Sequence, residues 1–580
     1  MPAHRLDLSD DAAVWPTGRR WTEDTSTVTR WPAIAVATVI LLAAFSPSLL
    51  PRPWYMQAVA CGLGAGIGYL LARTLQRLVR GATVLTGIRV VAPPRTRQVL
   101  GGLALVIAVP AAIYAWVTSH RAHVETAKLV SMDPPTLLDD VLATAASVLA
   151  AVLVVLMLIG LQRVWLRLSR LLKRVVRVPK PVARAVSALL VVGLLVWVTN
   201  DVLFRGALET VSRLSAEAND ETPEGLSAPT SPLRSGSPGA AQPWEELGFN
   251  GMKYTGSGPD ASRIEQVTGR PATEPIRAYA SVAGGEMEDI VATAMSELER
   301  MDAFDRSTIH IVTTTGEGWA EEFDVESVEY LTGGDVATVA MQYSYLPSPV
   351  ALFVDRTTPV SAGTLLLEAV EKRVKSMEKR PKILVSGLSL GSFGGQGAFT
   401  DADDLLSRVD GAVWIGTPRF TPLWGDLTSG RRGGSPEIAP VIGDAEHIRF
   451  VTRPDELSHD FYGRTLGQWQ TPRVAYLQYA SDSLMWWSPE LAYKEPDWMR
   501  EEAGHDVSSG LSWWPLITFA QVSVDTVAGA ESPAGHGHTY QEDVVPMWAA
   551  VLDGLVEDLP EGSIEKIQTA IRENLPKDSQ

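Results

Sequence analysis

Three short stretches hold the residue types that carry out nucleophilic acyl chemistry. Gly387-Leu388-Ser389-Leu390-Gly391 follows the apolar run Ile383–Val385 and precedes a small-residue segment able to start a helix. A serine at the tip of so sharp a turn has residues two before and two after pressed against it, and glycine meets that demand. Arg473-Val474-Ala475-Tyr476-Leu477 reads as a strand, with Asp482 just past its end. Gly535-His536-Gly537-His538-Thr539-Tyr540 supplies imidazoles ahead of an amphipathic stretch, Val544–Leu555. Serine, carboxylate and histidine in this chain order suit a nucleophile, an orienting acid and a general base. Asp324 and Asp355 precede the serine, so their order is wrong for the acid. His538, nearer the helix, is the expected base, with His536 the alternative.

The same chemistry needs two backbone donors for the oxyanion. One is expected to be the N–H of Leu390. The other is expected from Thr313-Thr314-Thr315-Gly316-Glu317-Gly318-Trp319, where Gly316 and Gly318 permit close approach of backbone to substrate. Trp319, Trp486 and Trp487 are expected to line the substrate wall. A plain strand-to-helix turn would leave the same serine motif, and an N-cap would leave the same aspartate. A metal site on His536 and His538 would need further ligands, and none lies at motif spacing, so no metal and no cofactor are expected.

These residues must be held by a sheet. From Pro275 onward, strand-like and helix-like patterns alternate. Ile276–Val282, Thr308–Val312, Val336–Gln342, Ala412–Ile415 and Val474–Tyr479 read as strands. Met287, Val291, Ala294, Leu298 and Met301 recur at helical spacing, as do Leu366, Val370, Val374 and Met377. Such alternation implies a mostly parallel sheet covered by helices on both faces.

Ahead of it the chain is of another kind. Residues 1–204 hold 21 Lys and Arg against 10 Asp and Glu, a net +11; the rest hold 29 against 57, a net −28. That acidity argues against nucleic acid as a partner. Five runs approach bilayer length: Trp31–Leu50, Trp54–Leu75, Val99–Thr118, Leu137–Leu161 and Val182–Leu203. Arg77, Arg80, Arg89, Arg95 and Arg97 crowd the second loop, and Arg163 to Lys180 the fourth, whereas the first loop has Arg52 alone. The bias puts the N-terminus in the cytoplasm and everything after the fifth span outside. Gly62, Gly64, Gly66 and Gly68 suit close helix packing. Asp139, Asp140 and Asp201 are expected at solvated span ends. Cys61 is the single cysteine, so no intramolecular disulfide forms.

The expected divisions are residues 1–30, a cytoplasmic segment; 31–205, the membrane helices; 206–270, a flexible linker and lead-in; 271–560, the catalytic domain; and 561–580, a tail. Thr315-Gly316-Glu317-Gly318-Trp319, Met341-Gln342-Tyr343-Ser344-Tyr345-Leu346-Pro347-Ser348, the Ser389 turn, Tyr479-Ala480-Ser481-Asp482 with Trp486-Trp487-Ser488-Pro489, and Gly535-His536-Gly537-His538 run through most of the outer part. In these stretches the chain resembles an actinobacterial α/β-hydrolase family with an N-terminal multi-spanning membrane domain. The resemblance implies an α/β-hydrolase domain, a three-layer α/β/α sandwich, behind about five transmembrane helices. It also implies a serine hydrolase or acyltransferase facing the cell envelope, and it assigns no substrate; the expected protein is a serine esterase or lipase, or an acyltransferase, acting on membrane lipid or envelope esters at the plasma membrane. A catalytically inactive binding or scaffold module is the alternative of another class. Neither the substrate nor the oligomeric state is specified by the sequence.

Overall fold

Seven strands form one parallel sheet in the computed structural model, in the order β1-β3-β2-β4-β5-β7-β6. The strands are β1 (Ile276–Ala280), β2 (Thr308–Val312), β3 (Val336–Met341), β4 (Lys382–Leu388), β5 (Gly411–Ile415), β6 (Ile448–Val451) and β7 (Arg473–Leu477). The structure describes residues 31–86, 94–529, 532–555 and 559–575. The N-terminal segment 1–30, and Arg89 of the second loop, lie outside the described residues.

The strands are buried on both faces, as parallel strands must be. Alternate residues feed two cores. Ile309, Ile311, Ile383 and Val385 face the helices Met287–Arg300 and Thr357–Val374. Leu384, Val413 and Ile415 face the helices Glu322–Leu331, Val544–Leu552 and Ser563–Asn574. This is the three-layer arrangement expected. The last helix corrects the tail at 561–580, because Ile567, Ala570 and Ile571 are buried in the second core. The strand β6 was not anticipated. It is four residues long and carries Arg449, which breaks the apolar run. Arg449 is buried because its guanidinium donates to the carbonyls of Ala445, Leu457 and Gly467.

The linker expected at 206–270 is also corrected. Helix continues through Arg205–Asn219, since loss of hydrophobicity is not loss of helix propensity, and Arg213 pairs with Glu217 at 2.8 Å. Further on, the Arg277 N–H donates to Leu233 O and the Ser235 N–H to Arg277 O, both at 3.0 Å. The Ser- and Pro-rich stretch is thereby fixed to the free edge of β1.

Among the described residues, three helices are long and apolar enough to cross a membrane: Trp54–Val79, Leu137–Val175 and Lys180–Asn219. These match three of the five expected runs; the first run is helical over Trp31–Ala43, 13 residues, and the third lies within the helix Pro94–Leu129. The glycines of the second run act as expected. A Cβ at Gly62 would lie 2.8 Å from Ala150 Cβ, and one at Gly68 would lie 2.8 Å from Ile40 Cδ1, so two faces each admit a neighbouring helix. Asp139 is half-buried and caps its helix through Thr136. Asp140 departs from the solvated reading: it is buried and pairs with His120. The loops after the first and third runs touch the sheet domain, where Leu49, Leu50 and Val130 join the first core.

Candidate active site

Ser389 stands at the carboxyl end of β4, the central strand, between that strand and the helix Leu390–Gln396. Its φ of 55° and ψ of −115° lie where a side chain is strained, a conformation that costs about 1–3 kcal/mol and persists only where surroundings enforce it. The enforcing contacts are backbone. A Cβ at Gly391 would lie 2.1 Å from Thr313 O, and one at Gly387 would lie 2.5 Å from the Gly391 carbonyl carbon. The Ser389 N–H donates to Ile415 O at 2.9 Å, tying the turn to β5.

Asp482 follows β7, the strand beside β5. Its carboxylate caps a helix and meets a histidine at once. Its Oδ1 accepts the N–H groups of Leu484 and Met485, capping a short helix, at 3.0 and 3.1 Å. Its Oδ2 accepts from His538 Nδ1 and from the Tyr540 hydroxyl, each at 2.7 Å. The carboxylate is fully buried yet has four partners, which is what a buried charge requires. His538 sits over the end of β5: a Cβ at Gly416 would lie 3.0 Å from His538 Cε1. Ser389 and His538 line one cavity of about 430 Å³.

His536 does not share this place. Its Nε2 faces Ser131 Oγ at 3.3 Å, and its Nδ1 stands 3.6 Å from Asp506. Two residues along a β-like turn are enough to point the two rings apart. Among the described residues, no group of three or more His, Cys, Asp or Glu is arranged to hold a metal ion.

The backbone groups expected to face an oxyanion differ in whether their N–H is free of a bond within the turn. The N–H of Leu390 opens its helix, where no preceding turn supplies an acceptor. Thr315 and Glu317 line the cavity, with Gly316 between them, packed on the Leu346 carbonyl. Gly318 is corrected, because its N–H is spent on Thr315 O at 2.9 Å within the turn. Two of the three tryptophans are corrected as well. Trp319 lines the cavity. Trp486 is wholly buried, packs against Trp424 and Trp498, and donates to Tyr479 O. Trp487 packs on Phe519 and donates to Ser523, away from the cavity. An indole-rich stretch does not reveal which rings face inward.

The sequence reading missed Tyr540, Lys253, Glu321 and Glu322. Tyr540 stacks on Tyr479 with ring centroids 4.3 Å apart, and burial holds its hydroxyl protonated far above the usual range. The signal for it was its place two residues after His538. Burial also raises the carboxyls of Glu317, Glu321 and Glu322, all three on the cavity wall.

A second Ser–His contact exists nearby, and it is sealed. His310 Nε2 meets Ser386 Oγ at 2.8 Å, and Ser386 donates to Asp324 at 2.5 Å, a carboxylate that Trp548 also reaches at 2.6 Å. Burial lowers His310 to about 3 and raises Asp324 to about 6. The Ser386 proton points at Asp324, so a neutral His310 donates to the hydroxyl rather than activating it. With His310 and Ser386 both at 0 % exposure, no substrate reaches this group.

Two family profiles match the chain. One, described as an alpha/beta-hydrolase family, covers residues 276–561; the other, described as the N-terminus of an alpha/beta-hydrolase family, covers residues 45–259. No curated protein and no solved structure matches it.

Proposed function

Because the chain belongs to this α/β-hydrolase family, we propose that it is a serine hydrolase of the esterase or lipase kind, held in the membrane by its N-terminal helices. The observation that carries this reading is the 2.7 Å contact of His538 Nδ1 with buried Asp482, beside the cavity that Ser389 also lines. With Nδ1 committed, Nε2 is the nitrogen left for the serine. Ser389 Oγ attacks the ester carbonyl carbon as its proton passes to His538 Nε2. The carbonyl oxygen takes the charge, facing the Leu390 N–H and the backbone beside Gly316. The imidazolium then gives its proton to the leaving alkoxide, and water resolves the acyl-enzyme by the same route in reverse.

The base is tested by substitution. His538→Ala is expected to abolish labelling of Ser389 by a fluorophosphonate, while His536→Ala keeps a substantial part. Labelling lost in His536→Ala and kept in His538→Ala would make His536 the base instead.

A second reading is acyl transfer to a hydroxyl acceptor. Lys253, Glu317, Glu322, Thr539 and Gln541 along the cavity wall favour it, since they offer hydrogen bonds to a hydroxylated headgroup. The products separate the two, as free acid or as a new ester.

In this reading the domain faces outward from the plasma membrane, with the N-terminus cytoplasmic and lipid or envelope esters as substrates. Loops 46–53 and 130–136, poor in basic residues, touch the sheet domain, and the basic residues concentrated in the other two loops mark the cytoplasmic side, which supports this reading. A reporter active only outside the cell, fused after Phe204, is expected to be active. Activity of a cytoplasm-only reporter there would reverse the topology.

A further inference from the structure

The loop between the first two membrane runs carries a charge that the reaction above does not use. Arg52 stands between Pro51 and Pro53, and its side chain is only 2 % exposed. Its Nε donates to the carboxylate of Asp525, 473 residues later, whose side chain is 0 % exposed. Ser48 donates to the other oxygen of Asp525, and Arg52 Nη1 donates to Gln57 at 2.9 Å. One turn earlier on the same helix, Gln521 Nε2 donates to Ser46 O at 3.0 Å. The helix Ile517–Ala528 is thus gripped by the membrane hairpin through polar groups on one face. Ile517 adds an apolar contact with Leu41, Phe45 and Ala65.

That helix leads directly to the base. The Gly529 N–H donates to Asp525 O, and the His538 N–H donates to Gly529 O at 3.1 Å. Thr526, next to Asp525, lines the cavity together with Ser389 and His538. An unbroken series of bonds therefore runs from a membrane loop to the backbone of His538.

We infer that Arg52 and Asp525 are positioning residues, through which the membrane hairpin holds the His538 loop in register with Ser389. The membrane helices then complete the active site as well as anchor it. This inference rests on His538 being the base. Removing Arg52 alone leaves a buried carboxylate without its cation, which destabilises strongly. Removing both charges relieves that while still releasing the grip, so the double variant separates stability from positioning.

The test uses the full-length protein in detergent, with p-nitrophenyl butyrate as substrate and a fluorophosphonate as active-site label. Rates are compared per folded enzyme for Arg52→Gln, Asp525→Asn and the double variant. A misplacement of the base by about 1 Å costs roughly 100-fold in rate. The expected result is kcat lowered by about 10- to 100-fold in all three, with KM within about twofold. Tm is expected to fall in Arg52→Gln and to recover in the double variant while kcat stays low. Wild-type kcat in the double variant or in Asp525→Asn, or a change confined to KM, overturns the inference and leaves the pair as structural only. Absence of any labelling in the wild type would instead remove the proposed function beneath it.

Discussion

Ser389→Ala is expected to lower ester hydrolysis or acyl transfer by roughly four or more orders of magnitude, because removing the nucleophile of a triad removes the function of its partners too. Folding should hardly change. The serine precedes the helix Leu390–Gln396 without making a side-chain capping bond, so its hydroxyl contributes nothing to that helix end. The strained backbone remains the same with alanine. Stability should therefore stay within about 1 kcal/mol of the wild type. Fluorophosphonate labelling and turnover of a soluble ester, read beside a thermal melt, check both halves. Retention of most activity with an unchanged melt would return the outer domain to a binding role.

Gly391→Val is expected to fail differently, by loss of the fold. The atoms a side chain would strike are backbone: Thr313 O at 2.1 Å, Thr314 O at 3.0 Å and Thr313 C at 3.1 Å. They sit just past the end of β2, and the Thr313 N–H is bonded to Ser386 O at 3.0 Å, extending the ladder between β2 and β4. Room for a branched side chain requires parting the two central strands at the site. Overpacking of an ordinary core costs about 1–3 kcal/mol. Here the displaced atoms belong to a hydrogen-bonded ladder, so the cost should exceed that range. The measurement is the yield and Tm of purified protein, with Gly391→Ala as a milder member of the series. A folded Gly391→Val with wild-type Tm would mean that the turn is not built this tightly.

The elements that position the site were legible wherever local pattern decides. Thr308–Val312 appears in the structure with the bounds read from the sequence, and the Ser389 turn lies where its glycines put it. Short continuous apolar runs have one stable use in such a chain, as strands buried on both faces. Asp482 was legible from its position after a strand, and His538 from its position before a helix. β6 was not legible, because Arg449 interrupts its apolar run and is buried by the carbonyls of Ala445, Leu457 and Gly467, which no strand pattern announces. The linker was misread because hydrophobicity ended there while helix propensity did not.

By itself the sequence determined the residue types and their order: a serine in a turn only glycines permit, then an aspartate, then a histidine, behind a basic apolar third. These follow from steric limits and periodicities that act within a few residues. The tertiary structure alone decided which tryptophan meets the cavity, which glycine N–H is already spent, and which of two histidines reaches Asp482. It also decided that Arg52 meets Asp525. Those outcomes depend on where side chains far apart in sequence converge, and convergence is fixed by packing of the whole core rather than by local sequence.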